Sequence, residues 1–368
     1  HLSYPNGNYD RDVAELARSC GYRTAVTARG GAWSGAHDRY AIPRVGIGRF
    51  DGRMRFKTLL ARAARGVSGP PPRKKILFCI DSLARAGTEL QMTGLIDRLD
   101  RDRYAPYLFT MRRPLDDVPL EDCRHLHWHV PRLISGNGIR TAWRLLRFLR
   151  RERIDVIQTY FPDATLFCGT VARLAGVPVR LACFRDLGFW RRRVTDLAMR
   201  PVYRGMTGYL CNAAEVGEHF RAGFGLPPEK FTVIPNGIDA ASLPWVAHAG
   251  PTRHVGLVGN MTRQVKRVDL FIRAAAQVAR QHPEVNWHVV GDGCLRPELE
   301  ALARARGLAD RMEFAGNVED VPSYLEGLEV GVLCSASEGL SNALIEYMFK
   351  GCAAVATAVG GNVEVLED

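Results

Sequence analysis

The stretch SASEGLSNALIEYMFKG, Ser335 to Gly351, sets two carboxylates, Glu338 and Glu346, on either side of a loop-to-helix junction. The run before it, Val330 to Cys334, is short and apolar, as a buried strand should be. Gly339 permits a tight turn, and Ser341 is of the residue type that caps a helix N-terminus. Asn342 to Lys350 then reads as a helix, with Gly351 just past its end. A helix that starts at the carboxyl end of a parallel strand presents unpaired N–H groups and the positive end of its dipole, which suits a phosphate. At such a junction Glu338 can accept hydrogen bonds from sugar hydroxyls, with Gly339, Leu340 and Ser341 beside it. Glu346 can take the two hydroxyls of a ribose. By spacing alone, the same pair also fits a plain loop glutamate and a glutamate on a solvated helix face.

Upstream, apolar strands alternate with helices from residue 76 onward. Strands are expected at Ile76 to Ile80, Ala105 to Thr110, His125 to Val130, Asp155 to Gln158, Val179 to Phe184, Gly208 to Cys211 and Phe231 to Ile234. A helix is expected from Thr88 to Leu99. PNGID, Pro235 to Asp239, marks a turn, and a second alternation begins at His254. It runs through VGLVGN, the helix VDLFIRAAAQVARQ, NWHVVGDG, the helix PELEALARARG with Pro297 in its first turn, and MEFAGNV. Such alternation predicts parallel sheets covered on both faces, in two successive doubly wound halves with the cleft between them.

The segment from Gly331 to Glu364, ending in GCAAVATAVGGNVEV, resembles the C-terminal signature of the family-4 retaining glycosyltransferases, whose fold is GT-B. The resemblance implies a nucleotide sugar, UDP- or GDP-linked, as donor and no required metal or other cofactor. It assigns Glu338 to the donor sugar and Glu346 to the ribose. In GNMTRQVKR it assigns Arg263 and Lys266 to the diphosphate, where two cations offset the charge of the leaving nucleotide. The family's arginine commonly follows the glycine directly; here Asn260 stands there and Arg263 takes its place. ARAGTEL keeps one glycine of the family's pair, Gly87, with Ala86 in place of the other. Gly291 and Gly293 of GDG correspond to the nucleobase loop, and His288 reads as a packed strand residue. In CFRD, Arg185 and Asp186 stand near where many members have a histidine. Arginine is no base at neutral pH, so a contact with phosphate or acceptor is what remains for Arg185. The implied activity is hexosyl transfer with retention, to a lipid-linked saccharide or a growing polysaccharide.

Residues 1 to 66 read differently. HLSYPNGNYDRDVAELARSCGYRTAVTARGGAW has a Pro-Asn-Gly turn, a helix with apolar Val13, Leu16 and Ala17, and a strand from Thr24 to Thr27. This piece resembles the C-terminal part of a polysaccharide deacetylase β/α barrel, and DRYAIPRVGIGRFDGRMRFKTLL fits that pattern's closing segment. That family's metal-binding aspartate and His-x-x-x-His pair would precede His1. Among the residues present, His1 and His37 are lone histidines rather than a metal site. GVSGPPPRKK, Gly66 to Lys75, is the expected linker. The expected division is residues 1–66, linker 67–75, an acceptor-side domain 76–245 and a donor-side domain 246–368. With no Met at the start and an apparent strand near the end, a fragment with an incomplete second half is expected.

The 368 residues carry a net charge of +11. No zinc-finger spacing, RNA-binding signature or basic tail accompanies it, so no nucleic-acid partner is expected. The charge concentrates in RTAWRLLRFLRRER, Arg140 to Arg153, with Arg140, Arg144, Arg147 and Arg151 on one face and Trp143, Leu146 and Leu149 on another. This reads either as a peripheral contact with anionic lipid or as a core helix with a solvated basic face. Nine scattered cysteines without a C-x-x-C pair indicate a reducing compartment. With no apolar run of about 18 residues, the expected place is the cytoplasm or the inner membrane face. Two other readings stay open: a bifunctional deacetylase and glycosyltransferase, and a non-catalytic GT-B-shaped protein that binds nucleotide or glycan.

Overall fold

The computed structural model of the chain describes residues 2–3, 11–27, 38–40, 42, 72–84, 86–113, 120–130, 132–188, 191, 193–238, 252–318 and 320–366. The YPNG turn, His1 and His37, most of residues 38–66, the start of the linker, Arg85 and Asp239 lie outside the described residues. The chain divides into two compact units, His1–Lys74 with Asp100–Tyr104, and Lys75–Leu99 with Ala105–Asp368.

In the first unit, strands β1 (Leu2–Ser3) and β2 (Ala25–Val26) pair in parallel around helix α1 (Arg11–Ser19). Ala14 and Ala17 are the buried residues of α1, whereas Val13 and Leu16 are exposed. Of the three apolar residues picked out in the sequence, Ala17 is thus the one that faces inward. A parallel bridge from Val26 to Ile42 continues the pairing.

The second unit holds two sheets. In the first, β3 (Lys74–Ile80), β4 (Tyr104–Thr110), β5 (Arg124–His127), β6 (Val156–Tyr160), β7 (Val179–Phe184), β8 (Gly208–Cys211) and β9 (Phe231–Val233) lie in the order β5-β4-β3-β6-β7-β8-β9. The pairings β3–β6, β4–β5, β6–β7, β7–β8 and β8–β9 are all parallel. The second sheet orders β10 (His254–Val258), β11 (Asn286–Val290), β12 (Met312–Gly316), β13 (Val330–Leu333) and β14 (Ala353–Ala356) as β12-β11-β10-β13-β14, with every pair parallel. In both sheets the chain leaves the first strand toward one edge and returns to its other side. The reversals, β3/β6 and β10/β13, open crevices at the carboxyl ends of the strands.

Most expected elements recur within a residue or two. Helix α2 spans Gly87–Asp97 and α10 spans Asn342–Phe349, where Ser341 Oγ accepts from Leu344 N at 3.4 Å as the N-cap. β5 is shorter than expected, but Trp128 N and Val130 N still donate to Thr110 and Met111 carbonyls. Helix α3, Gly136–Glu152, corrects the expected faces: Leu145 and Leu149 are buried, but Trp143 is 60% exposed and shares the solvent side with the arginines. All nine cysteines are free thiols.

Candidate active site

Two loops at the carboxyl ends of strands build the centre of the site. The β10 loop carries Arg263 and Lys266 before helix α7 (Val268–Val278), and the β13 loop carries Glu338 to Ser341. Ala336 N donates to Val265 O at 2.8 Å, which locks these two loops together. As a result Lys266 Nζ donates to Glu338 Oε1 at 2.6 Å, and Ser335 Oγ donates to the same oxygen at 2.5 Å. Glu338 is only 8% exposed, so the ammonium and hydroxyl replace the water that its charge loses. Arg263 sits at the start of the turn that holds Lys266 and is exposed.

Glu346 lies one and a half turns into α10, half-buried, and burial pushes its carboxyl up from the ordinary glutamate range. It takes part in none of the ion pairs among the described residues. Its neighbour Tyr347 is fully buried and anchors the helix, its hydroxyl accepting from Val258 N at 2.6 Å. This fixes Glu346 relative to β10.

The β13 loop also meets the first sheet. A Cβ on Gly339 would come 2.1 Å from the Arg185 carbonyl oxygen and 2.7 Å from Asn212 Nδ2, so only glycine permits this approach. Asn236 Nδ2, from the PNGID turn, donates to Leu340 O at 2.8 Å and to Asn342 Oδ1 at 2.7 Å, and Arg185 Nη1 donates to Asn236 Oδ1 at 2.9 Å. On the other side of the cleft, Asn342 Nδ2 donates to Gly87 O at 3.2 Å, and Gln91 Nε2 donates to Gly237 O at 2.7 Å. Glu364 Oε1 accepts from Glu215 N at the start of helix α6 (Ala214–Phe224) at 3.1 Å. The sequence singled out Gly87, Arg185 and Glu338, and the structure brings them to one cleft. It did not single out Gln91, Asn212, Asn236 or Asn342, whose neutral amides become informative only once two remote loops meet.

Gly291 and Gly293 stand apart from this cluster. Both have positive φ, and their Cα atoms press on the backbone of 259–262, where any Cβ would collide at 2.2–2.3 Å. They thereby shape the loop that leads to Arg263 and Lys266. His288 is packed, sharing a hydrogen-bonded cluster with His254, Glu313 and Tyr324.

Two further carboxyls are Asp81, just after β3, and Glu89, in the first turn of α2. Asp81 accepts from Ala164 N at 2.8 Å. Burial first, and then the Asp163 charge, push Asp81 up to about 7, against the pull of Ala164 N–H and Arg112. Burial, and secondarily Asp81, push Glu89 up to about 7 as well. Among the described residues no cluster of three or more His, Cys, Asp or Glu could hold a metal ion.

This architecture has close counterparts. Residues 85–242 match the model of Glycosyltransferase Family 4, and residues 252–368 that of Glycosyl transferases group 1. Both matches begin beyond residue 84. The solved structure of the Anabaena protein Alr3699/HepE with UDP and glucose aligns with a TM-score of 0.68 and 18% identity, over 80% of this chain and 84% of that one. A glycosyltransferase from Rickettsia africae aligns with a TM-score of 0.64 and 15% identity, over 81% and 83%. Among curated proteins, the Vi polysaccharide biosynthesis protein VipC/TviE of Salmonella typhi is 28% identical over 68% of this chain. The match spans 46% of that protein, less than half of its length. The putative glycosyltransferase EpsF of Bacillus subtilis is 25% identical over 76% of this chain and 77% of its own. The UDP-Gal:alpha-D-GlcNAc-diphosphoundecaprenol alpha-1,3-galactosyltransferase of Escherichia coli is 26% identical over 59% of this chain and 61% of its own.

Two parallel-sheet α/β domains that meet at such a cleft define the class, a GT-B fold. Residues 85–242 and 252–368 thus each match a glycosyltransferase domain family.

Proposed function

We propose that the chain transfers a hexose, with retention of anomeric configuration, from a nucleotide sugar to a lipid-linked saccharide or a growing polysaccharide. The observation that carries this reading is the pairing of Lys266 with Glu338 at 2.6 Å, followed by a half-buried Glu346 that has no ion-pair partner among the described residues. In this reading Glu338 orients the donor sugar, with Gly339, Leu340 and Ser341 lending backbone and N-cap groups, and Glu346 takes the ribose. Lys266 and Arg263 hold the diphosphate, and Gly87, Gly291 and Gly293 shape the loops around the nucleotide. Leaving-group stabilisation and positioning then supply the catalysis without a metal. UDP is the first nucleotide to test, because the Anabaena protein of the same fold was solved with it. The lipid-linked acceptor rests on the Escherichia coli relative, whose name specifies a diphosphoundecaprenol substrate.

The domain division follows the sheets, with residues 76–245 on the acceptor side and 246–368 on the donor side. Residues 1–66 we read as a piece of a deacetylase barrel, supported by the parallel β1–α1–β2 unit. A peripheral contact with anionic lipid is supported by α3, where Ile139 and Trp143 are exposed among Arg140, Arg147 and Arg150. No helix among the described residues is long and apolar enough to cross a membrane.

The test is donor binding and hydrolysis across a panel of UDP- and GDP-sugars, with Glu346→Ala as control. Release of sugar from one donor, lost in the control, is expected. A folded protein that binds none of them refutes the transferase reading.

A further inference from the structure

Arg185 follows Phe184, the last residue of β7, whose ring is clamped by stacking on Phe220 at 3.9 Å and by the edge of Tyr203 at 5.2 Å. The clamp fixes the end of β7, from which the Arg185 guanidinium extends. It projects over the Tyr160 ring at 5.9 Å and lines a small recess with Phe161, Pro162, Thr165 and Asp186. One nitrogen, Nη1, is held by Asn236, which in turn holds the Leu340 carbonyl of the donor-side loop. Another, Nε, is buried with no hydrogen-bond partner among the described residues.

A half-buried guanidinium normally sits opposite a carboxylate, because its charge is costly to desolvate alone. Among the described residues Arg185 has no ion pair. Asp186, the acid nearest in sequence, turns its Oδ1 back to accept from Gly188 N at 2.5 Å. Asp163, the next residue to Pro162, is engaged with Arg112 at 2.5 Å. Arg185 thus makes no ion pair with any described carboxylate, although Asp186 lines the same recess. Across Gly339 from the Arg185 carbonyl, the buried Asn212 has an Oδ1 with no donor among the described residues. At the mouth of the recess, Phe161 adopts φ 62 and ψ 160, a backbone region nearly reserved for glycine and one that clusters at ligand sites.

We infer that Arg185 recognises an anionic group on the acceptor, a phosphate or a carboxylate close to the hydroxyl that is glycosylated, while Asn212 Oδ1 accepts from an acceptor hydroxyl. The inference rests on the glycosyltransferase reading and deepens it by naming the acceptor's chemical class. Arginine suits the task because its planar fork pairs with either oxyanion in two parallel hydrogen bonds. Lys266 and Arg263 lie on the other sheet's loops, so the donor diphosphate and the acceptor anion have separate cations.

The experiment is calorimetric titration of the protein, first with UDP and then, saturated with UDP, with N-acetylglucosamine 1-phosphate, methyl glucuronide and methyl glucoside. At least one anionic sugar is expected to bind tenfold or more tightly than methyl glucoside. Preference for the 1-phosphate identifies a phosphate, and preference for the glucuronide a carboxylate. Arg185→Gln should abolish the preference while UDP affinity stays within about twofold, and Arg185→Lys, which keeps the charge without the fork, should recover part of it. Equal binding of neutral and anionic sugars overturns the inference. So does an Arg185→Gln variant whose UDP affinity falls as far as its anion affinity, since the arginine would then serve the donor. Failure of the unmodified protein to bind UDP, and GDP in its place, refutes the transferase reading itself, and the inference with it.

Discussion

Replacing Lys266 by Met tests the electrostatic core of the site. Glu338 is 8% exposed, and its Oε1 is held by the Lys266 ammonium at 2.6 Å and the Ser335 hydroxyl at 2.5 Å. Lys266→Met leaves that carboxylate buried with a single hydroxyl. Removing one partner of a fully buried pair costs about 3–5 kcal/mol. The Lys266 side chain retains 23% exposure, so water reaches the pair. The expected loss is therefore smaller, about 2–3 kcal/mol. In a protein of this size that lowers Tm by roughly 3–4 °C. Adding Glu338→Gln removes the orphaned charge and should restore about half of the loss, a coupling of about 1–2 kcal/mol in the double-mutant cycle. Donor turnover should behave oppositely, falling about 100-fold or more in Lys266→Met and not recovering in the double variant, because the leaving diphosphate has lost its cation. Thermal denaturation and sugar release, measured on the four proteins, separate the two effects. The reasoning is refuted if Lys266→Met melts with the unmodified protein, or if the double variant is no more stable than Lys266→Met.

Two other predictions concern regions outside the donor loops. The folded state raises Asp81 to about 7, so ionisation at higher pH opposes folding. The penalty is absent below the ordinary aspartate pKa, grows as pH rises toward 7, and is then constant. Asp81→Asn keeps an acceptor for Ala164 N and should add about 4 kcal/mol at pH 8 but little at pH 4; Tm profiles of the two proteins that run parallel from pH 4 to 8 would contradict it. On α3, replacing Arg140 and Arg147 by Gln should weaken sedimentation with phosphatidylglycerol-containing vesicles by about 10–30-fold, at roughly 1 kcal/mol per arginine. Trp143→Ala should weaken it further, and equal binding of the unmodified protein to purely zwitterionic vesicles would exclude an electrostatic contact.

How much was legible from the sequence depended on how local the cause was. Strand and helix periods, Pro297 in the first turn of its helix and Ser341 as N-cap act within a few residues, and the structure places them where the pattern does. The faces of helices were less legible. Around α1 and α3 the residues turned inward are chosen by the sheets that cover them, so Ala14 is buried while Leu16 and Trp143 are exposed. Size and hydrophobicity alone point the other way.

The chemistry divides along the same line. The sequence by itself determined an alternation that yields parallel sheets, and it set Glu338 and Glu346 around a strand-loop-helix junction, because a helix N-terminus after a strand is a local matter. Only the tertiary structure decided which charges meet. Lys266 and Glu338 come from different strand loops, joined by the bond from Ala336 to Val265. Asn236 bridges Arg185 to Leu340 because Gly339 lets two sheets approach within backbone contact. Such contacts depend on the sum of many packing choices along the chain, and short-range patterns carry no record of that sum.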